Sequence, residues 1–174
     1  MFSRWAYILI GNNNTGKTAF QKHLLWYLCG QRYDRLPRNI INNITHPRAP
    51  RALATIFTCN RSFQENLNEY RSVELYFQQF FRDADICILS SHVRAAALQI
   101  GEMVQNLKRR YYNVAGVFWS NAADEETREI ALLPWNETLW IDNPILTDQM
   151  QINLQLEQIA RHFTDFLIGR SQVQ

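Results

Sequence analysis

The sequence predicts an α/β fold, a three-layer sandwich with a mostly parallel central sheet, and two observations carry that expectation. Short apolar runs of strand length alternate with longer segments whose apolar residues recur every three to four positions, as when helices cover both faces of a sheet. The strand-like runs are apolar throughout instead of alternating, which suits strands buried on both sides. With 174 residues, 47% of them hydrophobic, the chain can fill one sizeable core, and a single domain over residues 1–174 is expected.

Tyr7-Ile8-Leu9-Ile10 reads as the first strand. A helix from about Lys17 to Cys29 follows, with Phe20, Leu24 and Leu28 on one face and Gly30 as its stop. Residues 31–50 contain Pro37, Pro47, Pro50, an Asn-rich stretch and the basic residues Arg32, Arg35, Arg38 and Arg48. They read as the longest irregular segment, with one short edge strand around Ile40 to Ile44, and a loop of that length is usually functional or mobile. Ala52 to Cys59 is the next strand, followed by Asn60-Arg61-Ser62. Val73, Tyr76, Phe77, Phe80 and Phe81 recur at helical spacing.

The strand Ile86 to Leu89 ends in Ser90-Ser91-His92, and a helix over Val93 to Arg109 follows. The cations Lys108, Arg109 and Arg110 close that helix, where they favour the negative end of its dipole. Val114 to Trp119 is a strand leading through Ser120-Asn121-Ala122-Ala123-Asp124 to a short acidic helix. Thr138 to Ile141 is the last strand, closed by the turn residues Asp142-Asn143-Pro144. The final helix is expected from Thr147 or Asp148, with Leu156, Ile159, Phe163 and Leu167 buried.

Composition excludes several function classes. No apolar run approaches the roughly 20 residues of a membrane helix, and Arg4 with its short apolar stretch lacks a cleavage pattern, so a cytoplasmic protein is expected. Cys29, Cys59 and Cys87 are odd in number, far apart and set in apolar segments, which reads as reduced core thiols. A net charge of +2 names no partner, and with its one dense basic cluster at a helix end, nucleic acid is not expected as one.

The chemistry is concentrated in Gly11-Asn12-Asn13-Asn14-Thr15-Gly16-Lys17-Thr18. A loop that wraps phosphate must aim backbone amides at one anion, so it needs conformations that glycine allows, and Gly11 and Gly16 stand where they are required. Lys17 can reach between the β- and γ-phosphates, and the Thr18 hydroxyl can ligate a bridging magnesium ion. The helix opening at Lys17-Thr18-Ala19 points its positive end at the same place.

These residues, following a buried strand and opening an amphipathic helix, resemble the P-loop NTPase superfamily. The resemblance implies that fold, a GTP or ATP ligand with Mg2+, and phosphate contacts from Gly11 to Ala19. Phe81-Arg82-Asp83-Ala84-Asp85 before its strand, and Asn121-Ala122-Ala123-Asp124 after a hydrophobic one, resemble the Ras-like GTPases. By that resemblance Asn121 orients the base and Asp124 accepts hydrogen bonds from guanine, with Ala122 where the family has lysine. Asp124 reads equally as the cap of the acidic helix. Ser90 to Ala96 and Ala115 to Asn121 also look like the ParA/MinD branch, in which an asparagine touches adenine, although Asn12-Asn13-Asn14 stands where that branch carries a second lysine.

Both branches depart at the catalytic acid, because the strand tips offer Cys59-Asn60 and Ser90-Ser91 and no D-x-x-G occurs between them. Gln64 is the glutamine in a place comparable to a water-positioning one, and Thr45 is a candidate for the threonine that senses the γ-phosphate through magnesium. His92 reads either as a base or as a polar residue at a helix start. Asp142 reads as turn chemistry, and Asp83 and Asp85 belong at the far end of the sheet. The leading expectation is a slow NTPase acting as a switch, in which triphosphate orders residues 31–50 and 60–70 and a protein partner reads the result. The alternatives are a ParA/MinD-like ATPase, a small P-loop kinase, and a degenerate nucleotide-binding module presenting Trp26, Tyr27, Trp135 or Trp140 to a partner.

Overall fold

Five strands of the chain run parallel because helical crossovers return each one to the same end of the sheet. The computed structural model describes residues 3–122 and 124–172. The strands are β1 (Trp5–Ile10), β2 (Asn39–Asn43), β3 (Thr55–Ser62), β4 (Ile86–Ser91), β5 (Asn113–Trp119) and β6 (Glu137–Ile141). They form one sheet in the order β2-β3-β4-β1-β5-β6, with β2 antiparallel to β3 and the other pairs parallel. The helices are α1 (Lys17–Cys29), α2 (Leu67–Tyr70), α3 (Val73–Gln79), α4 (Ala97–Arg109), α5 (Glu125–Ala131) and α6 (Gln149–Gln172).

Strand residues alternate between two cores, as the period of two requires. From β1, Tyr7 and Leu9 join Phe20 and Leu24 of α1 and Leu156, Phe163 and Leu167 of α6. Ala6, Ile8 and Ile10 face the opposite side, with Tyr76 and Phe77 of α3, Ile100 and Val104 of α4 and Ile130 of α5. Helices thus cover both faces of the sheet, an arrangement compatible with a three-layer sandwich. Cys29, Cys59 and Cys87 are free and buried, and burial pushes the thiols of Cys29 and Cys87 up to about 12. Among the described residues, no helix is long and apolar enough to cross a membrane.

Several boundaries differ from those read in the sequence. β3 starts three residues later than Ala52, because Leu53 closes a turn by donating to Pro50 O (2.9 Å), and it continues past Cys59 to pair Ser62 with Ser90. α4 starts at Ala97, not Val93, because the Val93 amide donates to Asn12 Oδ1 (3.3 Å) and Ala95 takes φ +51°. Asp148 caps α6 as expected, accepting from the Gln151 amide at 2.9 Å. Gly30 ends α1 in the left-handed conformation at φ +66°.

Candidate functional site

The loop between β1 and α1 is fixed at both ends before any ligand is considered. Its Gly11 amide donates to Ser91 O at the tip of β4 (3.1 Å), and Thr15 Oγ1 donates to Asn12 O (2.9 Å). Asn14 and Gly16 adopt left-handed backbone at φ +65° and +94°, a region that asparagine tolerates and glycine occupies freely. A Cβ on Gly16 would also lie 2.7 Å from Leu156 Cδ2 of α6, so that side chain would have to shift. Among the described residues no side chain caps the start of α1, and its first helical bond runs from the Phe20 amide to Gly16 O (2.9 Å). The amides of Lys17, Thr18 and Ala19 therefore precede the helical ladder, at the positive end of the helix dipole.

Lys17 is 8% exposed, and its ammonium turns back on the loop, donating to Gly11 O, Asn12 O (2.8 Å) and Thr15 Oγ1 (3.3 Å). Burial pushes its pKa down to about 8, against the opposing pull of the Glu65 charge. Carbonyl dipoles compensate a buried cation less well than an anion does, so an anion arriving in front of the loop would stabilise the charged form.

A bulge in β3 supplies the opposite wall. Thr58 pairs with Ile88 and Ser62 with Ser90, so four residues of β3 span two of β4. Such an insertion bends the strand and re-aims its side chains. Asn60, Arg61 and Ser62 consequently line a cleft of about 640 Å³ together with Glu65, Lys17, Thr18, Arg35 and Arg38. Five cations line it, Lys17, Lys22, Arg35, Arg38 and Arg61, against the carboxylates of Asp34 and Glu65. Glu65 forms ion pairs with Arg61 (3.6 Å) and His92 Nε2 (3.0 Å), while Arg38 pairs with Glu69 on α2.

A second cleft, of about 270 Å³, lies on the other flank of the loop. Asn13, Asn14, Thr15 and Gly16 form one wall, and Asn121, Asn143, Gln155 and the aliphatic side chains of Ile145, Ile152 and Leu156 complete it. Asn121 Oδ1 is buried with no hydrogen-bond partner among the described residues.

The structure brings together some of the residues expected from the sequence and separates others. Residues 13–19 line the large cleft, and Asn121 lines the small one. Asp124 lies in neither lining; its carboxylate caps α5, accepting from the Thr127 amide (2.8 Å) and hydroxyl (2.7 Å), bonds that hold its pKa below the usual value. Ala123, beside it, lies outside the described residues. Gln64 does not line the large cleft either: its Oε1 accepts from Ser91 Oγ (3.2 Å) and the His92 amide (3.1 Å), and its Nε2 donates to Gln99 Oε1 (2.9 Å). Thr45 donates its amide to Leu28 O at the far end of α1, roughly 17 Å along the helix from Lys17. Asp142 accepts from Ser120 Oγ (3.1 Å), and Asp85 binds the Ala54 and Thr55 amides at the opposite end of the sheet.

The strands flanking β1 end in Ser91 and in Trp119-Ser120, so neither adjacent tip carries a carboxylate. Glu65, from the turn after β3, is the acid facing Lys17, and the sequence reading missed it. Only the two-residue bulge turns that segment inward, and no motif marks a bulge. Asn143 and Gln155 were missed because an Asp-Asn-Pro turn and a helical glutamine are unremarkable until α6 folds against the loop. Comparison of the chain with models of known protein families and with curated proteins gives no match.

Proposed function

We propose that the protein binds a nucleoside triphosphate with Mg2+, its phosphates in the cationic cleft and its base in the smaller one, and acts as a slowly hydrolysing switch for a protein partner. The observation that carries this reading is the left-handed Gly16 at the start of a helix whose buried Lys17 donates to loop oxygens and, among the described residues, forms no salt bridge. Phosphate oxygens would accept from the amides of Lys17 to Ala19 and replace the loop carbonyls on Lys17. A magnesium ion carried with phosphates needs few protein ligands, and the Thr18 hydroxyl and Glu65 carboxylate in the cleft lining fit that need. Bound there, it would spread the negative charge of the phosphates.

Arg35, Arg38, Asn60 and Arg61 come from the 31–50 and 60–70 segments, so a triphosphate in the cleft would bridge both, which supports a switch that a partner reads. The engagement of Asp124 by Thr127 leaves Asn121 as the base-facing candidate, and GTP and ATP both remain suitable ligands. Titration of each nucleotide, with and without magnesium, followed by a turnover assay, tests the reading. Magnesium-dependent micromolar or tighter binding is expected, and absence of binding by either nucleotide would sink it.

A second reading, a binding module that has stopped turning nucleotide over, is favoured by the absence of an acid on the strand tips beside β1 and by the half-exposed Trp140 stacked on Phe118. Tight binding with no hydrolysis, together with melting on loss of nucleotide, would select it.

A further inference from the structure

A relay of three side-chain and backbone groups ties the start of α6 to the glycine loop, and its polarity can be fixed without ambiguity. Gln155 Nε2 donates to Pro144 O at 3.0 Å, and a carbonyl can only accept, so the orientation of the Gln155 amide is set. The same nitrogen donates to Asn143 Oδ1, which sets the Asn143 amide in turn. Asn143 Nδ2 then faces Thr15 O and donates to it at 3.1 Å, across 128 positions of sequence. Asn143 is 3% exposed, and its own amide is held by Ser120 Oγ at 2.7 Å.

The consequence follows from peptide geometry. In a trans peptide the C=O and the following N–H point in opposite directions. Holding the Thr15 carbonyl toward Asn143 therefore aims the Gly16 N–H the other way, across the loop. Leu156, next to Gln155 on α6, presses against the same glycine, so that a Cβ on Gly16 would lie 2.7 Å from it. Adjacent residues of α6 thus set both the peptide orientation and the backbone position of Gly16.

We infer that Asn143 is a positioning residue for anion binding: through Thr15 O it locks the Thr15–Gly16 peptide with its N–H presented to phosphate, and Gln155 holds Asn143 in the donating orientation. The inference rests on the reading of residues 11–19 as a phosphate site and assigns a working part of that site to the β6–α6 turn. An unlocked peptide would have to be reordered whenever an anion binds, which weakens affinity without removing any group that touches the anion.

The test uses magnesium tripolyphosphate as the probe, so that no base contact contributes, on the full chain held well below its melting temperature. Asn143→Asp is nearly isosteric and still accepts from Gln155, but it cannot donate and sets an oxygen against Thr15 O. It is expected to bind the probe about tenfold more weakly, a loss that includes repulsion by its new charge, so the charge-neutral Gln155→Leu, expected to bind about threefold more weakly, isolates the part due to the peptide lock. The amide NMR cross-peak of Gly16 in the unliganded protein is expected to move in both variants. Equal affinity of wild type and Asn143→Asp would overturn the inference even if the variant melts earlier, because a purely structural bond changes the melting point and not the affinity of the folded protein. If Asn143→Asp does not fold, Gln155→Leu, at a half-buried helical position, carries the same test. If the wild type itself does not bind the probe, the phosphate reading fails, and the Gly16 cross-peak then decides the peptide lock: displacement in the variants supports it and an unmoved peak overturns it.

Discussion

The two clefts flanking the glycine loop share the residues Asn13 to Gly16 but differ in chemistry. The larger is lined by five cations and two carboxylates, several of them exposed and paired at the rim. The smaller is lined by amides and aliphatic side chains, with one buried acceptor unpaired among the described residues. Charge attracts a ligand over a distance and tolerates variation in its position, whereas amides and shape discriminate only at contact. A molecule with a polyanionic end and a planar, hydrogen-bonding end would match both clefts at once, with the loop between them.

The comparison breaks most sharply at Lys17. Lys17→Met is expected to weaken magnesium-triphosphate binding by about a hundredfold or more, since it removes a charge-assisted contact in a water-poor site. The same variant should be more stable than wild type at neutral pH when unliganded. Lys17 has a folded pKa lowered to about 8 from 10.5, so between these values the unfolded chain binds more protons and wild-type stability rises with pH. Its stabilising share is complete above the unfolded value and lost as pH falls through about 8, a span of about 3 kcal/mol. Urea denaturation of both proteins from pH 7 to 10.5 reads the difference; parallel curves would show that Lys17 carries no such penalty.

Gly16→Ala probes the shared wall. Left-handed strain and the collision with Leu156 should together cost about 1–3 kcal/mol, measured by urea denaturation. Measured against Leu156→Ala alone, whose cavity has its own cost, the same Gly16→Ala change should lose the collision but keep the strain, and no loss in that background would mean that the backbone conformation matters little.

Glu65→Gln sharpens the charged side. With the carboxylate facing Lys17 neutralised, turnover is expected to fall about tenfold or more while triphosphate affinity changes by less than about threefold. Weaker affinity with turnover at saturating nucleotide unchanged would make Glu65 a binding residue only.

The smallest effect is expected on the amide side. Asp124→Ala removes the α5 cap and should cost about 1 kcal/mol by thermal melting, leaving the ratio of GTP to ATP affinity unchanged. A change in that ratio would return Asp124 to the base site.

Much of the local structure was legible before folding was considered. The α1 boundaries, the edge position of residues 39–43 and the cap at Asp148 follow from periodicity, glycine and short polar side chains, all of which act within a turn or two of chain. The walls of the clefts were not legible. Arg35 and Arg38 could be named among the loop arginines but not ranked, and Glu65 carried no signal. Gln64 and Thr45 illustrate the same limit in reverse, because their residue type and approximate place in sequence suited a role, while the fold sets Gln64 against Ser91 and His92 and Thr45 at the far end of α1.

By itself the sequence determined the alternation of strands and helices and the loop from Gly11 to Thr18, since backbone preference and apolar period are properties of neighbouring residues. Tertiary structure decided what faces that loop. A two-residue bulge brings Asn60, Arg61, Ser62 and Glu65 into the cleft with Lys17, and the β6–α6 turn and α6 return from later in the chain to hold Thr15 and Gly16. Those contacts depend on strand register and helix docking, which are set by the burial of both cores together and not by any local run of residues.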